Sequence, residues 1–230
     1  MNEFVRESLF FGMFISLLAY EAGLLIKKKW KMAVLNPLLI SILLVLSFLL
    51  LTGVEYEFYN SSAKYLSYLL TPATVCLAIP LYRELSHLKK NFKAIAAGTV
   101  AGVLTSMVSV LLMAYLFGFS HEQYVTLLPK SITTAIGMGV SEELGGLVNL
   151  TVASIIITGI LGNVMAELIC KIFRIQEPVA QGLAIGTASH ALGTVKAIEM
   201  GDLVGAISSL AIVVSGLLTV GAASLFANFL

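Results

Sequence analysis

The sequence predicts an all-α polytopic membrane protein, with about six crossing helices plus two re-entrant or broken helical segments. Three observations predict it. Hydrophobic residues make up 58% of the chain and charged residues only 12%, about half the charged fraction of a soluble domain, and the mean hydropathy is +0.96. The charges are clustered: no Asp, Glu, Lys or Arg lies between Lys31 and Glu55, between Lys93 and Glu122, between Glu143 and Glu167, or after Asp202. Each gap can hold the roughly 20 residues that a spanning helix needs. Third, residues 129–146 (PKSITTAIGMGVSEELGG) and 178–201 (PVAQGLAIGTASHALGTVKAIEMG) are polar among oily neighbours. Charge or broken backbone at membrane depth is costly unless it lines a cavity or packs on protein, so function is expected there. The net charge of +1 says little about partners, because its placement matters more than its sum.

The elements follow in order. Segment 8–26 is preceded by Glu3, Arg6 and Glu7 and ends at Lys27, Lys28 and Lys29 without a small-residue cleavage site. It reads as a retained helix, not a signal peptide, with Glu21 snorkelling at its inner end. Segments 36–54, 65–82 and 94–117 are further apolar runs, the last carrying Gly98-x3-Gly102 as a helix-packing motif. Segment 127–145 is the first polar one. Segment 147–172 is apolar, 179–200 is the second polar one, and 203–230 is the longest apolar run. The links are short, so no soluble domain is expected. Residues 1–64 read as a scaffold or oligomerisation pair, and residues 65–230 as a transport-type core. Cys76 and Cys170 read as small core residues, since they form neither a disulfide framework nor a metal motif.

Lys/Arg bias sets the orientation. The link with Lys27, Lys28, Lys29 and Lys31 is cytoplasmic, the one with Glu55, Glu57 and Lys64 is outside, and the one with Arg83, Lys89, Lys90 and Lys93 is inside. Lys171 and Arg174 are also inside only if segment 127–145 enters and leaves by the outer face. Segment 179–200 then enters from the inner face. Two such segments are the inverted arrangement of secondary transporters; a plain eight-crossing chain is the alternative. An internal repeat supports the pairing: Pro129-x6-Ile136-Gly137 recurs as Pro178-x6-Ile185-Gly186, Glu143-x-Gly-x-Leu147-Val148 as Glu199-x-Gly-x-Leu203-Val204, and Thr158-Gly159 as Ser215-Gly216.

The chemistry is expected at the polar segments. Pro129 suits the first turn of a half-helix, and a helix N-terminus with Lys130, Ser131, Thr133 and Thr134 offers free N–H groups, hydroxyls and a cation to a small carboxylate. The competing role of the hydroxyls is to bond back to their own helix, and of Lys130 to snorkel. In the second segment Ser189, His190, Gly193 and Thr194 form the matching set. His190 is a proton-linked candidate because an ionisable group at this depth is costly, and Glu167 is another. Pro129, Gly137 and Gly186 are the expected structural breaks. Glu142, Glu143 and Glu199 close the polar segments. No enzyme motif, metal-ligand set or cofactor loop is present in the sequence, and Ser189-His190 is a poor dyad because neighbours on a helix diverge by about 100°. The short basic links do not suggest nucleic-acid binding.

At PKSITTAIGM (residues 129–138) and GTASHALGTVKA (residues 186–197), with FRIQEPVAQGLAIG between them, the chain resembles the LrgB/CidB family over nearly its whole length. That bacterial membrane family is related to the C-terminal half of the plastid glycolate/glycerate translocator. One departure stands out: the family has Pro after the double Thr, and here it is Ala135, which removes an expected helix break. The resemblance implies transport of small monocarboxylates such as pyruvate, glycolate or glycerate, or alternatively a holin/antiholin-like role in murein hydrolase regulation and autolysis. It also implies a bacterial inner-membrane location and a small LrgA/CidA-type membrane partner. The residue-level reading favours a secondary transporter of a small organic anion, proton-linked through His190, embedded in the lipid bilayer as a homo-oligomer.

Overall fold

The computed structural model describes residues 8, 10–30, 35–69, 72, 75, 76 and 78–230. Among them every regular element is helical. The chain divides into two compact units, Met1–Cys76 and Leu77–Leu230.

In the first unit, α1 (Phe11–Trp30) and α2 (Pro37–Thr52) form a helix pair, followed by α3 (Tyr56–Ala63) and a 3-10 turn over Lys64–Leu69. Asn36 starts α2, its Oδ1 accepting from the backbone N–H of Leu38 at 2.8 Å and of Leu39 at 3.3 Å. Pro37 follows at the first helical position, where its missing N–H costs nothing. Gly53 ends α2 at φ 66°, a conformation glycine adopts freely. Close approach ties α1 to its neighbours. The Gly12 N–H donates to Ser62 Oγ at 2.7 Å, and a Cβ on Gly23 would lie 2.6 Å from the Pro37 carbonyl oxygen. Leu50 and Leu51 are largely exposed, as lipid-facing side chains are.

In the second unit, short helices α4 (Ala78–Arg83) and α5 (Leu85–Lys90) precede α6 (Phe92–Phe117). Segment 65–82 is therefore not one continuous helix in the described residues. Pro72 would deny a continuous helix one of its N–H donors; residues 70, 71, 73, 74 and 77 lie outside the description. Next come α7 (His121–Leu127), α8 (Thr134–Glu143), α9 (Val148–Ile172), α10 (Pro178–Met200) and α11 (Asp202–Phe226), the last continued by a 3-10 turn over Ala227–Phe229. By length and composition, α6, α9 and α11 with its 3-10 extension can each cross a bilayer. The chain is membrane-protein-like and all-α.

The helix at the centre of this unit is α11. Of its most apolar stretch 61% is buried within the protein, against 22% for α6 and 17% for α9. Its sequence explains why: Gly205, Ala206, Ser208, Ala211, Ser215 and Gly216 keep its flanks narrow, so helices approach closely without large side chains between them. α6 and α11 lie side by side and run the same way. Ile95 shares a buried cluster with Ile207 and Ala211, Met107 one with Ala223, and Ala114 one with Ala227 just past α11.

Candidate functional site

Two helical hairpins fill the space between these long helices, and they point at each other. The first is α7–turn–α8. Ser120 begins α7 with a capping box, accepting from the Gln123 N–H while Gln123 Oε1 accepts from the Ser120 N–H. From the end of α7 the chain descends through residues 128–133, where Leu128 clusters with Val110 and Ala114 and Ser131 reaches Ser106, and it returns in α8. At seven and ten residues these helices are about 10 and 15 Å long, roughly half the hydrocarbon thickness at most. The base of the hairpin is tied shut. Thr126 Oγ1 accepts from the Leu147 N–H at 2.8 Å, and the Thr151 hydroxyl lies 2.9 Å from the Thr126 carbonyl and 2.6 Å from the Ser141 hydroxyl. Gly146 fits against Thr126, where a Cβ would come within 3.0 Å of backbone nitrogen. The chain thus leaves the end of α7 at Thr126 and comes back beside it at Gly146, as a re-entrant segment must.

The second hairpin is hidden within α10. Ser189 (φ −137°, ψ 17°) and His190 (φ 43°, ψ −142°) are non-helical and split it into two arms. The contacts with α11 fix their directions. Gly182 meets Val204 and Ile207, and Gly186 meets Ser208 and Ala211, so the first arm runs parallel to α11. Thr194 meets Ser208, and Ile198 meets Gly205, so the second arm runs antiparallel to it. The arms are thus antiparallel to each other, and Gln181 and Met200 line one cavity at the hairpin's base. The second arm follows α9, with His190 at Gly159, Ser189 at Gly162 and Lys196 at Glu167. Hence α9 opposes α11, and the two hairpins open at opposite ends of the unit.

The repeat survives only in part. Glu143 ends the returning arm of the first hairpin and Glu199 that of the second, and helices of opposite sense follow each. The proline pair is not equivalent. Pro129 lies buried in the tip turn, while Pro178 opens the entering arm at the base. Gly137 and Gly186 lie inside regular helix, not at breaks. Both are close-approach glycines: a Cβ on Gly186 would lie 2.5 Å from the Ser208 carbonyl oxygen, and one on Gly137 would strike Ile155. Ala135 occupies the first turn of α8, a place where proline itself would not kink the helix.

At the first tip Lys130 Nζ donates to Ser131 Oγ at 3.2 Å, and buried Ser131 sits 3.0 Å from Ser106 Oγ in the middle of α6. Thr133 is the N-cap residue of α8 but its side chain does not cap. It and Thr134 are half-buried. At the second tip His190 Nε2 donates to the Ile155 carbonyl at 3.1 Å, which makes Nδ1 the acceptor in the neutral ring. Its positive φ is rare for a large side chain and costs about 1–3 kcal/mol. Ser189 Oγ donates to the Ile185 carbonyl at 2.8 Å, and Thr194 Oγ1 donates to the His190 carbonyl at 3.0 Å. With its one proton so used, Thr194 accepts from Ser208 Oγ, 2.7 Å away. Gly193 is where any Cβ would strike Ser189.

Ile155 joins the two tips. Its side chain fills the space above Gly137 in the first hairpin, and its carbonyl takes His190 of the second. On α6, Ser106 holds the first tip and Gly102, one turn away, receives Thr187 of the second at a would-be Cβ distance of 2.6 Å. Ser189, Gly193 and Thr194 build the second tip, Lys130, Thr133 and Thr134 flank the first, and His190 faces α9. Glu167 is not brought to the tips. It lies eight residues beyond Gly159, about 12 Å along α9, paired with Lys196 at 2.7 Å.

Three members of this arrangement escape a reading of the sequence. Ser106 and Ser208 resemble any serine in an apolar helix. Asn163 does carry a signal, being an amide at membrane depth; its Nδ2 donates to the Leu192 carbonyl at 2.7 Å, beside the broken backbone. Among the described residues no buried side-chain nitrogen or oxygen lacks a partner, and no group of three His, Cys, Asp or Glu is placed to hold a metal.

The LrgB-like family profile matches residues 16–229. Antiholin-like protein LrgB from Bacillus mycoides (strain KBAB4), from Bacillus cereus (strain B4264) and from Bacillus anthracis (strain CDC 684 / NRRL 3495) are each 36% identical over 222 residues, covering 96% of this chain and 96% of theirs. Those names carry the antiholin-like role and do not mention monocarboxylates. No solved structure matches the chain.

Proposed function

We propose, from the premise that this chain belongs to the LrgB-like family of membrane proteins, that it is a multi-pass protein of the bacterial inner membrane that carries small organic monoanions. The substrates are monocarboxylates of pyruvate, glycolate or glycerate type. The observation that carries this reading is the pair of opposed hairpins meeting at Ile155. Broken helices entering from opposite sides and meeting at mid-depth are how alternating-access carriers place a site. Lys130 supplies charge, Ser131, Thr133 and Thr134 supply hydroxyls, and the α8 N-terminus supplies free N–H groups. His190 is the proton-responsive group. No covalent chemistry is assigned to the chain, and the assembly is a homo-oligomer.

The relatives' names favour a second reading, an antiholin-like regulator acting with a small LrgA/CidA-type partner. One experiment separates the two. Proteoliposomes are assayed for uptake of labelled pyruvate, glycolate and lactate, with and without a pH gradient, alone and with such a partner. Saturable, competable uptake lost in Lys130→Met with Thr134→Val supports the carrier. Leakage without size selection, dependent on the partner and indifferent to those changes, supports the regulator.

A further inference from the structure

We propose that the cavity at the base of the second hairpin is a binding site for the carboxylate of a small soluble anion, held by Arg174 and Lys171 before it reaches the hairpin tips. The proposal rests on the carrier reading above. The cavity measures about 300 Å³ and is lined by the end of α9, the turn after it and both arms of α10, among them Glu167, Lys171, Arg174, Gln176 and Gln181. That volume suits a ligand of a few heavy atoms, at the lower end of small-molecule sites.

The turn itself carries the argument. The Ile175 N–H donates to the Cys170 carbonyl at 2.8 Å and the Arg174 N–H to the Lys171 carbonyl at 3.2 Å. This is a Schellman helix end, in which the left-handed position normally holds glycine. Here Arg174 holds it, at φ 54°, against a steric cost glycine would avoid. The turn does not drift, because Gln181 Nε2 donates to the Ile175 carbonyl at 2.8 Å. A strained residue with a long cation, fixed beside a cavity, is better explained by what it binds than by the fold.

Charge supports the same occupant. The cavity's acid, Glu167, is paired from outside with Lys196 at 2.7 Å, a lysine it shares with Glu199 at 3.1 Å, and with Lys171 and Arg174 counted the site carries a net positive charge. Glu177, three residues past Arg174, sits at the N-cap position of α10 and does not line the cavity. Among the described residues Lys171 and Arg174 have no acidic partner. The planar guanidinium matches a carboxylate through two parallel hydrogen bonds. A lipid phosphate shares that chemistry, so the test separates the two sources.

Initial rates of pyruvate uptake are measured for wild type, Arg174→Gln and Arg174→Gly in liposomes of phosphatidylcholine alone and with phosphatidylglycerol. The expected result is an apparent KM raised about tenfold in both variants and both lipids, as losing a charged hydrogen bond implies, with the maximal rate changed much less. Arg174→Gly keeps or raises the melting temperature, because glycine relieves the strain, so a loss of affinity there is not a loss of fold. An unchanged KM beside an active wild type overturns the site, and a KM change confined to phosphatidylglycerol liposomes makes it a headgroup site. If the wild type moves no anion, the carrier reading fails. Equilibrium dialysis of labelled pyruvate against detergent-solubilised wild type and Arg174→Gly then decides the site alone, and equal or absent binding overturns it.

Discussion

Gly159→Ala tests whether α9 holds the second tip in place. In an ordinary helix this change stabilises by about 1 kcal/mol, because alanine restricts the unfolded chain and favours helix. At Gly159 the new Cβ would lie 2.7 Å from His190 Cε1, 2.9 Å from His190 Nε2 and 2.7 Å from Leu192 Cδ1. Ordinary carbon contacts fall near 3.5–4.0 Å, so the ring must retreat by about 1 Å. The Leu192 side chain can rotate away, but the imidazole is held by its 3.1 Å bond to the Ile155 carbonyl and by the backbone break at its own Cα. Moving it breaks a buried hydrogen bond, at about 1–3 kcal/mol, and overpacking adds about 1–3 kcal/mol. Set against the helix gain, the net loss is about 1–5 kcal/mol, or roughly 2–20 °C in melting temperature for a chain this size. Gly139→Ala is the control. Gly139 lies within α8 with open space where its Cβ would stand, so it gains about 0.5–1 kcal/mol. The assay is thermal unfolding of both variants in detergent beside anion uptake in liposomes. Equal stabilisation of the two, with uptake intact, would refute the claim that His190 is wedged against α9.

Other outcomes follow from the same contacts. His190→Gly removes the side chain at a φ of 43° and relieves about 1–3 kcal/mol of strain, so it melts higher than His190→Ala while both lose the imidazole's function; the reverse order in a melting assay would contradict the broken-helix geometry. Asn163→Leu leaves the Leu192 carbonyl without its 2.7 Å donor and costs about 1–3 kcal/mol, read as a lower denaturation midpoint. Lys196→Gln costs about 1 kcal/mol or less, because the Glu167 side chain is 62% exposed; a larger loss by thermal unfolding would show that this pair fastens the second hairpin to α9.

By itself the sequence determined the class of the protein and where its unusual backbone lies. Charge-free stretches of spanning length and two polar islands suffice for that, because hydrocarbon forbids unpaired backbone and confines charge to the ends of helices or to protein-lined sites. It also singled out Lys130, Ser131 and His190, since polar groups in oily segments are conspicuous. The glycine motif at Gly98 and Gly102 reads as packing and serves as packing against α10, whereas Gly186, expected as a break, packs against α11. The fold alone decided the rest. Whether α10 passes through or turns back depends on two residues' dihedral angles at Ser189 and His190, and those are set by contacts with α9 and α11 that lie far away along the chain. Proline spacing misplaced Pro129, because a proline suits a tip turn as well as a first helical turn. The roles of Ser106, Asn163 and Ser208 are likewise tertiary: each bonds to a group between 14 and 29 residues distant, and no local pattern marks which serine or asparagine in an apolar helix will find such a partner.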